Sequence, residues 1–523
     1  MELSAKDNAT FCSYLARTGL DEKPHQLEGV AWALDQEREG KVVEAGEKHT
    51  VVRGGLLADE MGLGKTTVMI GTMVCNPLQR TLIVVPRALV EQWHRAILQT
   101  TGHDALIFHG SSRFEYSPEE ISARHIVITT YNLIATEKKE KQGGKEKRGG
   151  KETRGSKETR GSKETRGSKE TQEKKGGVIH QIEWSRLIFD EAHHLRNDNT
   201  AIFSGAFKLK ADVRWLVTGT PIQNRKKDFY SLCAQMGLPS SYYGDSDNLL
   251  LLVRSFIMKR TASQADIVLP ELFRETCVVG WESEEEKHLA ENFHALLNFS
   301  KVNKKYADNC IAQLDLSSLT LLVRSRQLCV LPRLVKHSLQ YYSDAGLIAG
   351  DATNGVCGTS KLNAVVEKIV SRAPNGNSKL VFCHFRGEID YIKERLEREG
   401  MDVETFDGRV KESERVRILE GTCDVLILQI QTGCEGLNLQ QFNEVYFVSP
   451  HWNPAVEDQA VARCHRIGQE EEVHVFRFTM DAFDEDGQTI SLDKYSSEVQ
   501  EVKRGIMNIL EVESEEEDGG QSE

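Results

Sequence analysis

The stretch Leu57-Ala58-Asp59-Glu60-Met61-Gly62-Leu63-Gly64-Lys65-Thr66 places glycines, a lysine and a hydroxyl at a spacing suited to holding a phosphate chain. Val51, Val52, Leu56 and Leu57 give it an apolar approach, and Thr67-Val68-Met69-Ile70 follows as a helix start. A strand, a glycine-containing turn and a helix N-terminus form an anion site, because unpaired backbone N–H groups and the helix dipole aim at the same point. In such a loop Lys65 reaches the β- and γ-phosphates and the Thr66 hydroxyl holds Mg²⁺. The pattern G-x-x-x-x-G-K-[ST] is met except at its first glycine, where Asp59 stands. The second chemical constellation is Asp190-Glu191-Ala192-His193, at the end of the apolar run Leu187-Ile188-Phe189. In a phosphate-loop enzyme the first carboxylate there holds Mg²⁺ and the next polarises the attacking water.

These groups need a scaffold that brings strand ends together. Thr81–Val85 and Ile126–Tyr131 read as buried strands separated by a helix through Leu89, Val90, Trp93 and Ile97. Strands spaced by helices predict a parallel α/β sheet with ligands at the carboxyl ends. Ahead of the phosphate loop an amphipathic helix starts at Pro24, with Leu27, Val30, Ala31 and Leu34 at helical spacing. Gln26 on it offers an amide donor and acceptor that could read adenine. Arg214–Val217 is a strand running into the turn Thr218-Gly219-Thr220-Pro221, whose hydroxyls could sense the nucleotide. From about Asn248 to Tyr342, Leu, Glu, Lys and His dominate at helical spacing, which predicts a helical insertion. A second α/β block begins near Lys361, with strands at 379–383, 424–428 and 445–448 and no phosphate loop of its own.

Lys-Glu-Thr-Arg-Gly-Ser occurs three times in a row, at 151–156, 157–162 and 163–168. With no apolar residue to bury, this loop is expected to be disordered. The length of 523 residues exceeds one core and predicts several domains. Hydrophobic content of 39% and charged content of 28% describe a soluble protein, and no apolar run suits a membrane span or a signal peptide. The 11 cysteines form no C-x-x-C pair, which argues against structural zinc and disulfides and for a reducing compartment. The net charge of −13 decides little about nucleic acid, since 7 of the negative charges lie between Glu511 and Glu523.

The chain from about Pro24 to Phe478 resembles the Swi/Snf helicase-related ATPases of helicase superfamily two. The resemblance rests on Asp-Glu-Met-Gly-Leu-Gly-Lys-Thr (59–66), Asp-Glu-Ala-His (190–193) and Thr-Gly-Thr-Pro-Ile-Gln-Asn (218–224), followed by Gly-Leu-Asn-Leu (436–439), Trp-Asn-Pro (452–454) and Gln-Ala-Val-Ala-Arg-Cys-His-Arg-Ile-Gly-Gln (459–469). Trp184-Ser185-Arg186 and Arg214-Trp215 look like the repair and lodestar-like branch. Some members of that branch carry a RING finger between the lobes, whereas only Cys310, Cys329 and Cys357 stand in that region here. Ser449-Pro450 replaces the Asp-Pro of many members.

The resemblance implies an α/β fold of two RecA-like parallel-sheet lobes with ATP–Mg²⁺ in the cleft and a DNA duplex across both. By family roles Gln26 lies near adenine, the loop from Asp59 through Glu60, Met61, Gly62, Leu63 and Gly64 to Lys65 and Thr66 holds phosphate, and Thr66 and Asp190 hold Mg²⁺. Glu191 is then the catalytic carboxylate, Arg463 and Arg466 are arginine fingers, and Trp452 and Asn453 contact DNA. Two arginines three apart share one face of a helix, where they can meet charge growing on a phosphoryl group. The implied partners are double-stranded DNA and nucleosomes or other DNA-bound proteins, in the nucleus. The expected layout is an extension (1–19), lobe 1 (20–245, with the repeat loop at 137–177), a helical insertion (246–350), lobe 2 (351–500) and an acidic tail (501–523). A strand-separating helicase on DNA or RNA and an inactive nucleotide-binding scaffold are the alternatives.

Overall fold

Apolar, β-branched runs flanked by amphipathic helices build two separate parallel sheets in the computed structural model, each with its own core. The structure describes residues 2–46, 48–136, 177–221, 226–297, 316–433, 437–484 and 490–507. The hexapeptide repeats, Cys310, the segment 222–224, Gly436 and the acidic stretch from 508 onward lie outside them.

In the first lobe the strands are β1 (Lys41–Ala45), β2 (Lys48–Leu57), β3 (Thr81–Val85), β4 (Leu106–Ile107), β5 (Ile126–Thr130), β6 (Glu183–Asp190), β7 (Lys210–Val217) and β8 (Ile257–Met258). Their order among the described residues is β1-β2-β7-β6-β3-β5-β4, with β8 paired to the end of β2. All pairs are parallel except the β1–β2 hairpin. Every residue of β3 is buried, as expected of a strand covered on both faces.

Helices α1 (Ala5–Thr18), α2 (Pro24–Arg38), α3 (Lys65–Cys75) and α4 (Val90–Thr101) cover one face of this sheet. The segment 1–19, expected as a mere extension, is mostly helix α1 and contributes to that core. Phe11, Tyr14 and Leu15 are buried, and Phe11 lies so close to Gly71 of α3 that a Cβ there would meet its ring at 2.3 Å. Phe11, Tyr14 and Leu15 stand at the i, i+3, i+4 spacing of a helix face, a signal that the expectation of an extension passed over.

The second sheet runs β11-β12-β10-β13-β14-β9, all parallel, from β9 (Leu272–Val279), β10 (Lys379–Cys383), β11 (Val403–Phe406), β12 (Val425–Gln429), β13 (Glu444–Phe447) and β14 (Val473–Met480). Strand β9 corrects the expectation of a purely helical insertion over 246–350, because it pairs with the whole of β14 and belongs to the second lobe. It is an edge strand with only Val279 buried, so it needs no apolar run to mark it. The rest of that region supplies α5 (Glu284–Ala295) and α6 (Leu316–Val330), which share a core with Phe293, Leu328 and Val335. Helices α7 (Ser360–Ser371), α8 (Arg386–Arg398), α9 (Pro454–Val461) and α10 (Leu492–Met507) are among those that flank the second sheet.

Candidate active site between the two sheets

The phosphate loop joins β2 to α3 through two left-handed glycines, Gly62 (φ 91°) and Gly64 (φ 84°), the latter capping α3. Neither tolerates a side chain. A Cβ on Gly62 would stand 3.0 Å from the Arg466 Cβ, and one on Gly64 would stand 2.4 Å from the Gln26 Nε2. Gln26 and His25 both bond the Leu63 carbonyl, at 3.3 and 2.9 Å, so α2 is seated directly on the loop. Lys65 Nζ donates to the carbonyls of Asp59 (2.8 Å) and Glu60 (3.2 Å). Burial lowers its pKa, while the charges of Glu191, Asp59 and Asp190 oppose that shift. Thr66 follows in the first turn of α3.

The structure explains the aspartate in place of the loop's first glycine. Arg260, just past β8, grips the buried Asp59 carboxylate with both arms of its guanidinium, at 3.1 and 2.6 Å. The same guanidinium donates to the His25 carbonyl at 2.6 Å. Asp59 therefore anchors the loop to the segment after β8 and to α2 rather than aiming at a ligand. Glu60 is similarly occupied, accepting from Ala262 N at 2.6 Å.

Strand β6 ends at Asp190, whose carboxylate accepts from Trp93 Nε1 (2.8 Å) and from the backbone N–H of Glu191 (2.9 Å). Glu191 sits at φ 51°, one of two non-glycine residues with positive φ among those described. Such backbone strain gathers at functional sites. Glu191 faces the second lobe. Gln459 Nε2 donates to its Oε1 at 3.1 Å and Arg463 Nη2 approaches the same oxygen at 3.5 Å, across 268 and 272 residues of sequence. Its Oε2 lies 3.4 Å from His193 Nδ1.

The two adjacent carboxylates are pushed apart in pKa. Burial, then the Glu191 charge, raises Asp190 above the usual carboxylate range. Burial also works to raise Glu191, but the His193 hydrogen bond and the charges of His193, Arg463 and Lys65 outweigh it and hold Glu191 below that range. Unlike environments of this kind separate the duties of neighbouring acids.

Arg466 completes the ring of cations. Its Cβ and Cα lie against Gly62, and its Nε is buried with no hydrogen-bond partner among the described residues. A glycine cradle, three converging cations (Lys65, Arg463, Arg466) and two inward carboxylates fit a nucleoside triphosphate with its divalent ion.

The sequence alone left several contributors unmarked: Trp93, His193, Arg260 and Gln459. Gln459 and His193 lay within recognised motifs with no role assigned to them, and Trp93 and Arg260 lay outside any phosphate-binding pattern. Trp452 and Asn453 are drawn into packing. Trp452 lies against Tyr495 of α10 with ring centroids 5.9 Å apart, and Asn453 caps α9 through Ala455 N at 3.2 Å.

Comparison with known proteins gives two domain matches, an SNF2-related domain over residues 25–246 and a helicase conserved C-terminal domain over 360–468. The chain is similar to a probable global transactivator of Orgyia pseudotsugata multicapsid polyhedrosis virus, 25% identical over 97% of this chain and 94% of that protein. It is similar to DNA repair protein RAD5B of Arabidopsis thaliana, 23% identical over 82% of this chain and 44% of that one. It is also similar to ATP-dependent DNA helicase DDM1 of Arabidopsis thaliana, 24% identical over 88% and 59%. The chain thus spans nearly all of the viral protein and less than two thirds of the two plant proteins.

Proposed function

Because the chain belongs to the Swi/Snf family of helicase-related ATPases, we propose that it is an ATP-driven translocase on double-stranded DNA that remodels chromatin or other protein–DNA complexes. The observation that supports this reading most is the composite site, in which Glu191 of the first lobe is met by Gln459 and Arg463 of the second. A site divided this way makes turnover depend on how the lobes approach. Any partner lying across both lobes could then govern it.

In this reading the glycine cradle and Lys65 bind the phosphates, Thr66 and Asp190 hold Mg²⁺, and Gln26 lies beside the base. ATP–Mg²⁺ supplies the cleavable phosphoanhydride. Glu191, kept ionised by His193, Arg463 and Lys65, orients water and accepts its proton. Arg463 and Arg466 neutralise charge that grows on the phosphoryl oxygens. Trp452, with its ring half-buried, stays the candidate DNA contact, and Asn453 positions it through the α9 cap. DNA as the track draws support from the repair protein and the DNA helicase among the relatives. Nucleosomes and a nuclear setting belong to the same reading.

The helicase relative also favours a second reading, strand separation. The deciding experiment measures ATP turnover in parallel with no nucleic acid, duplex DNA, single-stranded DNA and RNA, together with unwinding of a blunt duplex. Strong stimulation by duplex without unwinding is expected. Stimulation by single strands alone, or robust unwinding, would replace the translocase reading.

A further inference from the structure

Trp93 stands on the inward stripe of α4 with Val90 and Ile97, and its side chain is fully buried. The stripe packs into the core of the first lobe, where Val85, Ile128 and Ile188 line the sheet. Packing alone needs no nitrogen there, since phenylalanine or leucine supplies apolar surface without a polar atom. An indole brings one N–H donor and no acceptor. Once buried, that N–H requires a partner.

The buried tryptophans of this lobe meet that need differently. Trp184 Nε1 donates to the Ile179 carbonyl at 3.1 Å, five residues away. Trp215 Nε1 donates to Glu37 Oε1 at 2.8 Å, on a carboxylate that Arg186 already neutralises. Trp93 Nε1 reaches across 97 residues of sequence to Asp190 Oδ2, at 2.8 Å. Among the described residues only N–H donors bond the Asp190 carboxylate: Trp93 on Oδ2, and the Glu191 main chain on Oδ1 at 2.9 Å. The nearby Lys65 ammonium is bonded instead to the carbonyls of Asp59 and Glu60.

A carboxylate offers about four lone-pair sites. One N–H on each oxygen fixes the plane of the group and leaves a lone pair open on both. The main chain beneath is held as well, because the Tyr131 hydroxyl, just past β5, donates to the Asp190 carbonyl at 2.7 Å. Asp190 is thus gripped at its backbone from the end of β5 and at its side chain from α4. Of the two grips, the one on the side chain is charge-assisted and sets where the carboxylate points.

We propose that Trp93 is the positioning residue for the metal-binding carboxylate, its N–H holding Asp190 in the orientation that takes Mg²⁺. This rests on the reading that Asp190 holds Mg²⁺. Trp93 then acts through Asp190 alone, and its nitrogen sets metal affinity while its rings pack α4 onto the sheet. Groups that hydrogen-bond a ligating side chain change metal affinity by about 10–100-fold when removed.

The test reads binding and needs no turnover. A fluorescent non-hydrolysable ATP analogue is titrated into the full chain in EDTA and in excess Mg²⁺, and the ratio of the two affinities gives the metal's contribution. Trp93→Phe keeps an aromatic ring and removes the donor. The expected result is an affinity in EDTA close to that of the unaltered chain and a Mg²⁺ gain reduced about tenfold or more. An unchanged gain overturns the proposal, including the case of an equal loss of affinity in both conditions, which marks a residue that only packs. Asp190→Asn is measured alongside. A gain lost in Asp190→Asn but kept in Trp93→Phe overturns the proposal alone. A gain that survives Asp190→Asn, or is absent from the unaltered chain, removes Asp190 from the metal site and the proposal with it. If Trp93→Phe does not fold, benzothienylalanine at position 93 replaces it. That residue has the shape of tryptophan with sulfur where the N–H was, and the same reduced gain is expected of it.

Discussion

Asp59 shows how one residue can be read correctly as part of a loop and wrongly as to what it touches. Its carboxylate is 1% exposed and bonded to Arg260. Removing one partner of a buried ion pair costs about 3–5 kcal/mol, because the other charge is left buried alone. Asp59→Ala is therefore expected to lower the melting temperature clearly and to weaken ATP binding through the loop. Unchanged ATP affinity would show that Arg260 does not position the loop. Glu191 gives the second prediction at this scale. Glu191→Gln keeps the shape and the contact with Gln459 but removes the base. Turnover should fall about 10²–10⁴-fold, while binding of ATP measured by calorimetry persists. Near-normal turnover would take Glu191 out of the chemistry.

Helices α1 and α10 supply no residue of the phosphate loop, yet the elements carrying the site lean on them. Phe11 of α1 fills the space over Gly71 of α3, the helix that begins with Lys65. Phe11→Ala should cost about 3–5 kcal/mol as a buried large-to-small change, seen as a lower melting temperature. A neutral result would mean that α1 is peripheral. On the other lobe, α10 enters a buried polar layer through Asp493, which pairs with Lys361. Burial there drives His294 and His451 down to about 4 and holds His384 well below its ordinary range. Such histidines stay neutral when folded and gain protons first in the unfolded chain. They withdraw stability as pH falls from about 6.5 towards 4. Glu388, raised to about 7 by burial, acts in the opposite sense, losing its share as pH rises through that value. Three histidines outweigh one glutamate, so the melting temperature should fall on acidification from about pH 7 to pH 5. A flat or rising profile would contradict the layer's neutral histidines.

For the whole molecule, the prediction is interdependence of the lobes. Arg463→Ala should retain ATP binding and lose stimulated turnover by about 10³-fold if the arginine acts as a finger. An isolated first lobe that keeps α1, residues 1–270, should bind nucleotide without hydrolysing it at the rate of the full chain, since Gln459, Arg463 and Arg466 are absent from it. Equal rates would refute the composite site. The repeats have no such role in this scheme. Residues 145–172 contain no apolar side chain, so their deletion should leave melting temperature and ATPase nearly unchanged, and a drop of several degrees would show packing that composition does not reveal.

The sequence by itself determined the local chemistry. Asp59–Thr66 sits within one turn and Asp190–Glu191 at one strand end, where spacing alone fixes which groups can act together, whereas the helix expected to carry Arg463 and Arg466 ends at Val461 and turns, not helical spacing, place those arginines. Buried central strands were legible too, because β3 and β10 are each apolar at 4 of 5 positions. Tertiary structure alone decided the pairings between distant segments. Arg260 meets Asp59 across 201 residues, Glu37 gathers Arg186 and Trp215 beneath the first sheet, and exposed β9 joins the second. Each of these contacts is set by how sheets and helices stack, and a hydrogen bond between segments hundreds of residues apart leaves no periodic trace in either one.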